Sequence, residues 1–345
     1  MKIGKISREV FSSVIRERLG KKSEQVIVPP AAGIDAGVID IGNGQVLLVA
    51  EDPIFAIPGQ PLEMFGWYTV HIGASDIAVM GVRPQYMTYS LLMPPEFSDD
   101  DFVTVADSIH RAARDLDIAI VGGHTGHYPG FAAPTIGGIT VFAITGQQSY
   151  ITPAGARPGD SVLLTKGPAI ETAGILSVLR EKDLLRKYPF HLVRKAQGLV
   201  NQMSVVRDAL TAMGAGGVTA MHDATEGGVI GGLYEIAAAS GVGMEIDEAR
   251  FLYPDEVRMV CEYFGLDPVA AIAEGSLLIT ANQESAAGVI RELEQAGIPA
   301  SVVGTVTGDP ETRRITRRDG RREHLALPEQ DPFWPVFFES VPVQQ

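Results

Sequence analysis

The chain has 345 residues, 46% of them hydrophobic, and a formal net charge of −14. That length and apolar content provide for two well-filled domains and exclude a disordered chain. The charge argues against a nucleic-acid partner, since a phosphate-tracking surface needs clustered positive charge to displace counterions.

The single cysteine, Cys261, cannot form an intramolecular disulfide, which fits a reducing compartment. It shares an apolar helical pattern with Val257, Val260 and Phe264 and reads as a packed core thiol. The opening Met1 to Ser7 lacks the apolar core of a signal peptide, and no apolar run reaches membrane-spanning length. A cytoplasmic protein with no membrane partner is expected.

In chain order, Ser7 caps a first helix that carries Val10, Val14 and Ile15 on one face and stops at Gly20. A Pro/Ala/Gly loop follows from Pro29 to Gly33. Strands over 34–40 and 45–50 then place Asp35 and Asp52 near their ends. From Leu62 to Met80 the chain is apolar enough for a buried helix, yet it contains Ser75 and Asp76. A carboxylate in such surroundings is costly unless it is hydrogen-bonded, paired or bound to a metal. The structural alternative is a capping or helix–helix hydrogen bond.

Residues 85–93 read as a strand. Ser98 followed by Asp99, Asp100 and Asp101 starts a helix, because a hydroxyl cap and three carboxylates complement its dipole; Phe102, Val105, Ile109 and Leu116 continue it. A short strand, Ile118 to Val121, leads into Gly122-Gly123-His124-Thr125-Gly126-His127-Tyr128-Pro129-Gly130, with four glycines, two histidines and a threonine. Read as a turn, this stretch exposes backbone amides that can converge on an anion or a metal-bound phosphate. The alternative is an ordinary glycine-rich corner. Residues 135–145 are β-rich and interrupted at Gly137-Gly138, and Pro153 to Asp160 breaks all periodicity, which marks a domain boundary.

The second half begins with a strand over 161–165 and a helix over 170–180. A long helix is expected from Val193 to Met213. A strand over 218–221 runs into His222-Asp223-Ala224-Thr225-Glu226-Gly227-Gly228 and a helix to Ser240. The start of that helix is a candidate anion site on free amides, with Asp223 or Thr225 as cap; the alternative is an ordinary capped helix. Further strands are expected over 242–246, 275–280 and 300–306, with an amphipathic helix over 285–296. Asp319-Gly320 is a favoured hairpin turn, and the six arginines around it read as a solvated hairpin in so acidic a chain. The aromatic segment Phe333 to Phe338 is expected to dock on the body, covering an exposed sheet edge.

No Gly-x-x-x-x-Gly-Lys-Ser/Thr loop, Gly-x-Gly-x-x-Gly turn, His-Glu-x-x-His or paired Cys-x-x-Cys occurs. What remains is a set of separated carboxylates, Asp35, Asp52 and Asp76, with the Gly-Gly-His-Thr stretch. Hard carboxylate oxygens suit magnesium, which takes one or two protein carboxylates together with phosphate oxygens and water. Zinc on His124 and His127 lacks a third ligand that the sequence can place.

The order of motifs resembles the superfamily of aminoimidazole ribonucleotide (AIR) synthetase, thiamine-monophosphate kinase, selenophosphate synthetase and the hydrogenase-maturation carbamoyl dehydratase. It is carried by Gly4-Lys5-Ile6, Gly33-Ile34-Asp35-Ala36-Gly37, Glu51-Asp52-Pro53, Ser75-Asp76 through Pro84, Gly122-Gly123-His124-Thr125, Thr152 through Asp160, His222 through Gly228, and Glu274-Gly275. The resemblance implies an α/β (α+β type), two-domain AIR-synthase-like fold with an N-terminal dimer-forming sheet and a C-terminal α/β domain. The expected division is an ATP/Mg-binding and dimerisation domain over 1–150, a second domain over 151–310, and an arginine-rich hairpin and aromatic tail over 311–345.

It further implies a homodimer and an ATP- and Mg2+-dependent enzyme that phosphorylates or activates an oxygen of a small-molecule substrate. Asp35, Asp52 and Asp76 would carry magnesium. Lys5, Gly122, Gly123, His124, Thr125, Asp223, Thr225, Gly227 and Gly228 would contact the nucleotide. Ile34, Ser75, His124 and Gly126 depart from the acids or asparagine that members often carry, which leaves open a non-catalytic nucleotide-binding or scaffold homodimer. The chain is nearest the hydrogenase-maturation branch but ends Ser340 to Gln345 without that branch's acceptor cysteine, so that reaction is not expected. Nor is the N-terminal Cys or selenocysteine of selenophosphate synthetase present.

Overall fold

The computed structural model describes residues 4–341; the readings that touch Met1–Ile3 and Pro342–Gln345 lie outside the described residues. Ser7 caps α1 (Arg8–Val10), its hydroxyl accepting from Val10 N, and π and 3-10 turns carry the helical path on to Arg18. The expected apolar face, Val10, Val14 and Ile15, is exposed.

The first sheet contains β1 (Val26–Val28), β2 (Gly37–Gly42), β3 (Gln45–Phe55), β4 (Tyr86–Met93), β5 (Ala119–His127) and β6 (Thr135–Gly146), in the order β1-β2-β3-β6-β4-β5. Neighbours are antiparallel except β4 and β5, which are parallel. A parallel pair needs a crossover, and α3 (Asp99–Asp115) supplies it. Ser98 and Asp101 close a capping box at its start, as the run of acids after a serine suggested.

α2 (Leu62–Ala78) lies between this sheet and the second half of the chain, buried on most sides. A Cβ at Gly66 would come within 2.5 Å of Ser108 on α3, and one at Gly73 within 2.8 Å of Ile139 on β6. Close approach on two sides is what these glycines permit.

One reading of the first half is corrected and another sharpened. Gly122 to His127 is not a turn but the continuation of β5, paired in register with Thr88 to Met93. β4 presents a long free edge, and its backbone hydrogen bonds outweigh the local glycine signal. Gly123, at φ 149°, is required there because a Cβ would meet Tyr89 O at 2.2 Å. Gly137-Gly138 likewise lies within β6 and does not end it, but the pairing with β3 and β4 shifts register there, so the interruption is a local irregularity of the ladder, with the two glycines crowded by Leu92 and Glu51.

The second sheet contains β7 (Ser161–Thr165), β8 (Val218–Asp223), β9 (Gly243–Asp247), β10 (Leu277–Ala281), β11 (Ala300–Thr307), β12 (Arg313–Thr316) and β13 (Arg322–His324), in the order β13-β12-β9-β11-β7-β10-β8. Helices α4 (Ile170–Leu179), α5 (Glu181–Leu185), α6 (Phe190–Gln197), α7 (Val206–Ala215), α8 (Gly228–Ser240), α9 (Asp255–Phe264) and α10 (Gln283–Gln295) accompany it. Cys261 is buried in α9 as a core thiol, with burial pushing its pKa up to about 12.

The long helix expected over 193–213 is broken into α6, a 3-10 turn and α7. The Lys166 ammonium donates to Ser204 O at 2.8 Å and pairs with Asp208 at 2.9 Å, while Val205 N donates to Ser75 Oγ at 3.3 Å. Backbone groups that a continuous helix would need are thereby committed elsewhere.

The Asp319-Gly320 hairpin forms as expected and extends the second sheet. Arg317 anchors it on Glu248 and Asp267, each at 2.9 Å. The aromatic tail is a helix, α11 (Phe333–Ser340), packed against α4 rather than over a sheet edge. Among the described residues no helix is long and apolar enough to cross a membrane.

Candidate active site

Strand alternation places Val46, Leu48, Ala50 and Asp52 on one face of β3, the face that α2 covers. Asp76, near the end of α2, meets Asp52 there. The two carboxyl groups share a hydrogen bond. Burial raises both pKa values, and Asp76 is pushed well above the carboxylate range, because the charges of Asp52, Asp223 and Asp35 add to the burial.

β8, at the edge of the second sheet, packs against α2 and delivers His222 and Asp223 to the same seam. Asp35 arrives from the loop before β2. That loop approaches α8 so closely that a Cβ on Gly33 would stand 2.9 Å from Glu235 Cβ, and Gly33 has φ 77°.

His222, 2% exposed, lies at the centre of this cluster. Its Nδ1 is 3.4 Å from Asp35 Oδ2 and 3.3 Å from Asp223 Oδ1, and its Nε2 donates to Glu235 Oε2 at 3.0 Å. Burial works to lower its pKa, but Asp35, Asp223 and Glu235 outweigh that and raise it well above the usual value. Asp35 is pushed up to about 7, chiefly by burial, against the pull of His222.

Lys5 reaches the cluster from the N-terminal segment. Its ammonium donates to Thr225 Oγ1 at 3.0 Å, and its amide meets Glu226 Oε1 and Oε2 at 3.0 and 2.9 Å. Burial opposes its charge, while Glu235, Asp223, Asp35 and Asp76 raise its pKa.

A second pair of acids adjoins the first. Glu171, in the apolar α4, accepts from Glu274 N at 3.1 Å and is pushed up to about 8 by burial. Glu274 is raised well above the carboxylate range by burial and by the charges of Asp223, Glu171 and Asp52.

The structure thus brings Asp35, Asp52, Asp76, Asp223, Thr225 and Lys5 together. It does not bring Gly122, Gly123, His124 and Thr125 to them within one protomer. His124 pairs with Ser90 of β4, which pairs with Gly138 of β6, so it stands three strand spacings or roughly 14 Å from β3. Its Nε2 instead meets Tyr128 Oη at 2.5 Å.

Most of the amides at the start of α8 are already partnered within the protein. Gly227, at φ 84°, is the N-cap, in place of Asp223 or Thr225, and its amide donates to Asp331 Oδ2 at 2.8 Å. The amides of Gly228, Ile230 and Gly231 donate to Thr225 O, Val269 O and Gly227 O.

Glu235, Glu171 and the roles of His222 and Glu274 escaped the sequence reading. Glu171 carried the same signal as Asp76, an acid within an apolar helix. Glu235 gave none, because an acid on the side of a helix is usually solvated.

Magnesium, which the motif resemblance implies, fits this donor set. The ligand candidates are carboxylate oxygens, and Asp35 Oδ2 and Glu274 Oε1 are buried without a hydrogen-bond partner. A hard cation satisfies both conditions.

An acid-lined seam between a helix-backed mixed sheet and the edge of a second one marks a two-domain α/β protein with a buried donor set that suits a cation. Residues 33–146 match the N-terminal domain of AIR synthase related proteins, and residues 157–317 match the C-terminal domain. The chain belongs to the AIR synthase-related family and is an enzyme of that superfamily.

It is 30% identical over 257 residues to the carbamoyl dehydratase HypE of Cupriavidus necator, covering 71% of this chain and 68% of that protein. The crystal structure of Escherichia coli HypE, a hydrogenase maturation protein, shares the fold with a TM-score of 0.72 at 25% identity, covering 83% of this chain and 87% of the other. A hydrogenase maturation protein HypE in complex with ATP matches with a TM-score of 0.69 at 21% identity over 96% of this chain and 97% of the other.

Proposed function

We propose that the protein is an ATP- and Mg2+-dependent enzyme that phosphorylates or activates an oxygen of a small-molecule substrate. The observation that carries this reading is the convergence of Asp35, Asp52, Asp76 and Asp223 from four separate segments onto one buried seam. Four acids in such a place hold protons or repel one another unless a cation joins them. Membership of the family and the shared fold with a HypE solved with ATP support the nucleotide.

Magnesium held by these acids would neutralise phosphate oxygens and orient them for transfer. The protein's own part is positioning. Lys5, tied to Thr225 and Glu226, holds an ammonium beside the acids, where it can meet a phosphate oxygen. The buried acids Glu171 and Glu274 border the same space, and burial raises the pKa of both, which suits groups that exchange a proton with a substrate.

We read the protein as a homodimer whose N-terminal unit, residues 1–150, supplies Asp35, Asp52 and Asp76 to the metal together with the subunit contact, with residues 151–310 as the second unit, which adds Asp223. β5 is an exposed edge strand, with Ile120 39% and Val121 55% exposed, and an edge of that kind invites pairing. In such a dimer Gly122 to Thr125, remote from the carboxylates of their own protomer, would meet nucleotide bound by the second copy.

Calorimetry of ATP with and without magnesium tests the proposal. Magnesium-dependent binding is expected, and no binding under either condition would overturn it. A thermal-shift screen of metabolites with a non-hydrolysable ATP analogue present then identifies the substrate, because a ligand that binds only the native state raises its apparent stability.

A further inference from the structure

His222 distinguishes this seam from a plain carboxylate cluster. Its Nε2–H is committed to Glu235 Oε2 at 3.0 Å, which fixes the ring and turns Nδ1 toward Asp35 Oδ2 at 3.4 Å and Asp223 Oδ1 at 3.3 Å. A histidine that ligates through one nitrogen and donates from the other to a carboxylate is the usual arrangement around a protein-bound metal.

Three further features agree. The donor atoms of Asp35, His222 and Asp223 all lie within 4.8 Å of one another. Donors about 2.1 Å from one ion stand roughly 3 to 4.2 Å apart, so a small inward shift completes the set. Asp35 Oδ2 is buried and lacks a hydrogen-bond partner. Asp52 and Asp76 are engaged with each other through a shared hydrogen bond, which leaves Asp35 and Asp223, of the magnesium set, to face His222.

We infer that Asp35, His222 Nδ1 and Asp223 form a mixed nitrogen and oxygen site for a divalent first-row transition ion, with Glu235 orienting the histidine. Magnesium prefers oxygen donors, whereas imidazole suits iron, nickel, copper or zinc, and manganese, at home on carboxylates, also accepts a nitrogen beside them. The site therefore discriminates between two classes of cation within one seam. It rests on the cation reading of that seam and not on ATP being the nucleotide.

Manganese is the probe, because its electron spin reports a directly bound nitrogen. Mn2+ is added to the chelator-treated full-length protein, and pulsed electron paramagnetic resonance is recorded with and without excess Mg2+. Nitrogen-14 modulation is expected in both samples. His222→Gln abolishes it and weakens Mn2+ binding roughly 10-fold or more, whereas Glu235→Gln weakens binding about 10- to 100-fold with the modulation retained. Asp52→Asn and Asp76→Asn keep the modulation while losing magnesium-dependent ATP binding, which separates failure of this inference from failure of the ATP reading. Wild-type protein that binds Mn2+ without nitrogen modulation overturns the inference, whether or not His222→Gln folds. Modulation that persists in a folded His222→Gln also overturns it.

Discussion

Asp331 Oδ2 accepts a hydrogen bond from Gly227 N at 2.8 Å, so a carboxylate from the C-terminal region occupies the position at the start of α8 where an external anion would bind. Its other oxygen accepts from Phe333 N at 2.9 Å and starts α11. One side chain therefore joins the tail to the loop that carries Thr225 and Glu226. Asp331→Ala leaves both amides unsatisfied in a buried place and should cost about 1 to 3 kcal/mol, with Asp331→Asn costing less. Denaturant midpoints measure this, and an unchanged midpoint in the alanine variant would show that the strap is not structural.

Asp76→Asn should separate stability from function. Burial and the charges of Asp52, Asp223 and Asp35 raise the pKa of Asp76 well above the carboxylate range, and an amide there supplies a donor toward Asp52 without the repulsion that ionisation brings. The melting temperature without metal should stay level or rise, while most magnesium-dependent affinity for ATP disappears. Calorimetry that finds wild-type affinity in this variant would remove Asp76 from the ligand set.

Ser75 stands where family members often have asparagine, and its role here is a link between the halves of the chain. Its hydroxyl donates to His71 O at 2.9 Å and accepts from Val205 N at 3.3 Å, while His71 Nδ1 meets Ser204 Oγ at 2.9 Å. Ser75→Ala should cost about 1 kcal/mol and leave magnesium affinity unchanged. A loss of metal affinity at wild-type stability would instead make Ser75 part of the cation site.

Glu171 gives the protein without metal a pH dependence of definite sign. Burial pushes its pKa up from the usual 4.5 to about 8, against the hydrogen bond from Glu274 N. Between those values the native state holds a proton that the unfolded chain has released. The contribution is complete below the unfolded value and is lost as the pH rises through the folded one, with a slope of about 1.4 kcal/mol per pH unit. Glu171→Gln imitates the protonated form, so its melting temperature should fall less than that of the wild type between about pH 5 and about pH 8. Parallel curves for the two proteins would assign the slope to other groups.

The exposed edge at β5 yields a test of assembly. Val121→Lys places a charge on a strand that pairs only with β4 in the protomer. Charged residues on edge strands oppose pairing between sheets, so sedimentation should show the proposed dimer shifted toward monomer with little change in the melting of the protomer. His124→Asp in the same strand adds the acid that several family members have there. It should strengthen magnesium-dependent ATP binding if the strand faces nucleotide across a dimer, and leave it unchanged if it does not.

Much of the architecture was legible in the sequence because its signals are local. Ser98 with Asp101 caps a helix within four residues, Asp319-Gly320 turns a hairpin, and the continuous apolar run over 62–78 makes a buried helix on which one acid stands out. Asp35, Asp52 and Asp76 were recognisable as a set through the order of motifs. Their spacing alone did not say that they meet.

Other features were decided only by segments far apart in the chain. Gly122 to His127 reads as a turn until β4 provides a free row of backbone partners. The helical run over 193–213 looks continuous until Lys166 and Ser75 engage Ser204 and Val205. Glu235 resembles any solvated helix acid until Gly33 lets the loop carrying Asp35 close over α8. Nearest-neighbour preferences determine caps, turns and periodic burial. The pairing of an extended strand, the charge state of a buried acid and the partners of His222 depend on which distant groups replace water, and only tertiary contact makes that choice.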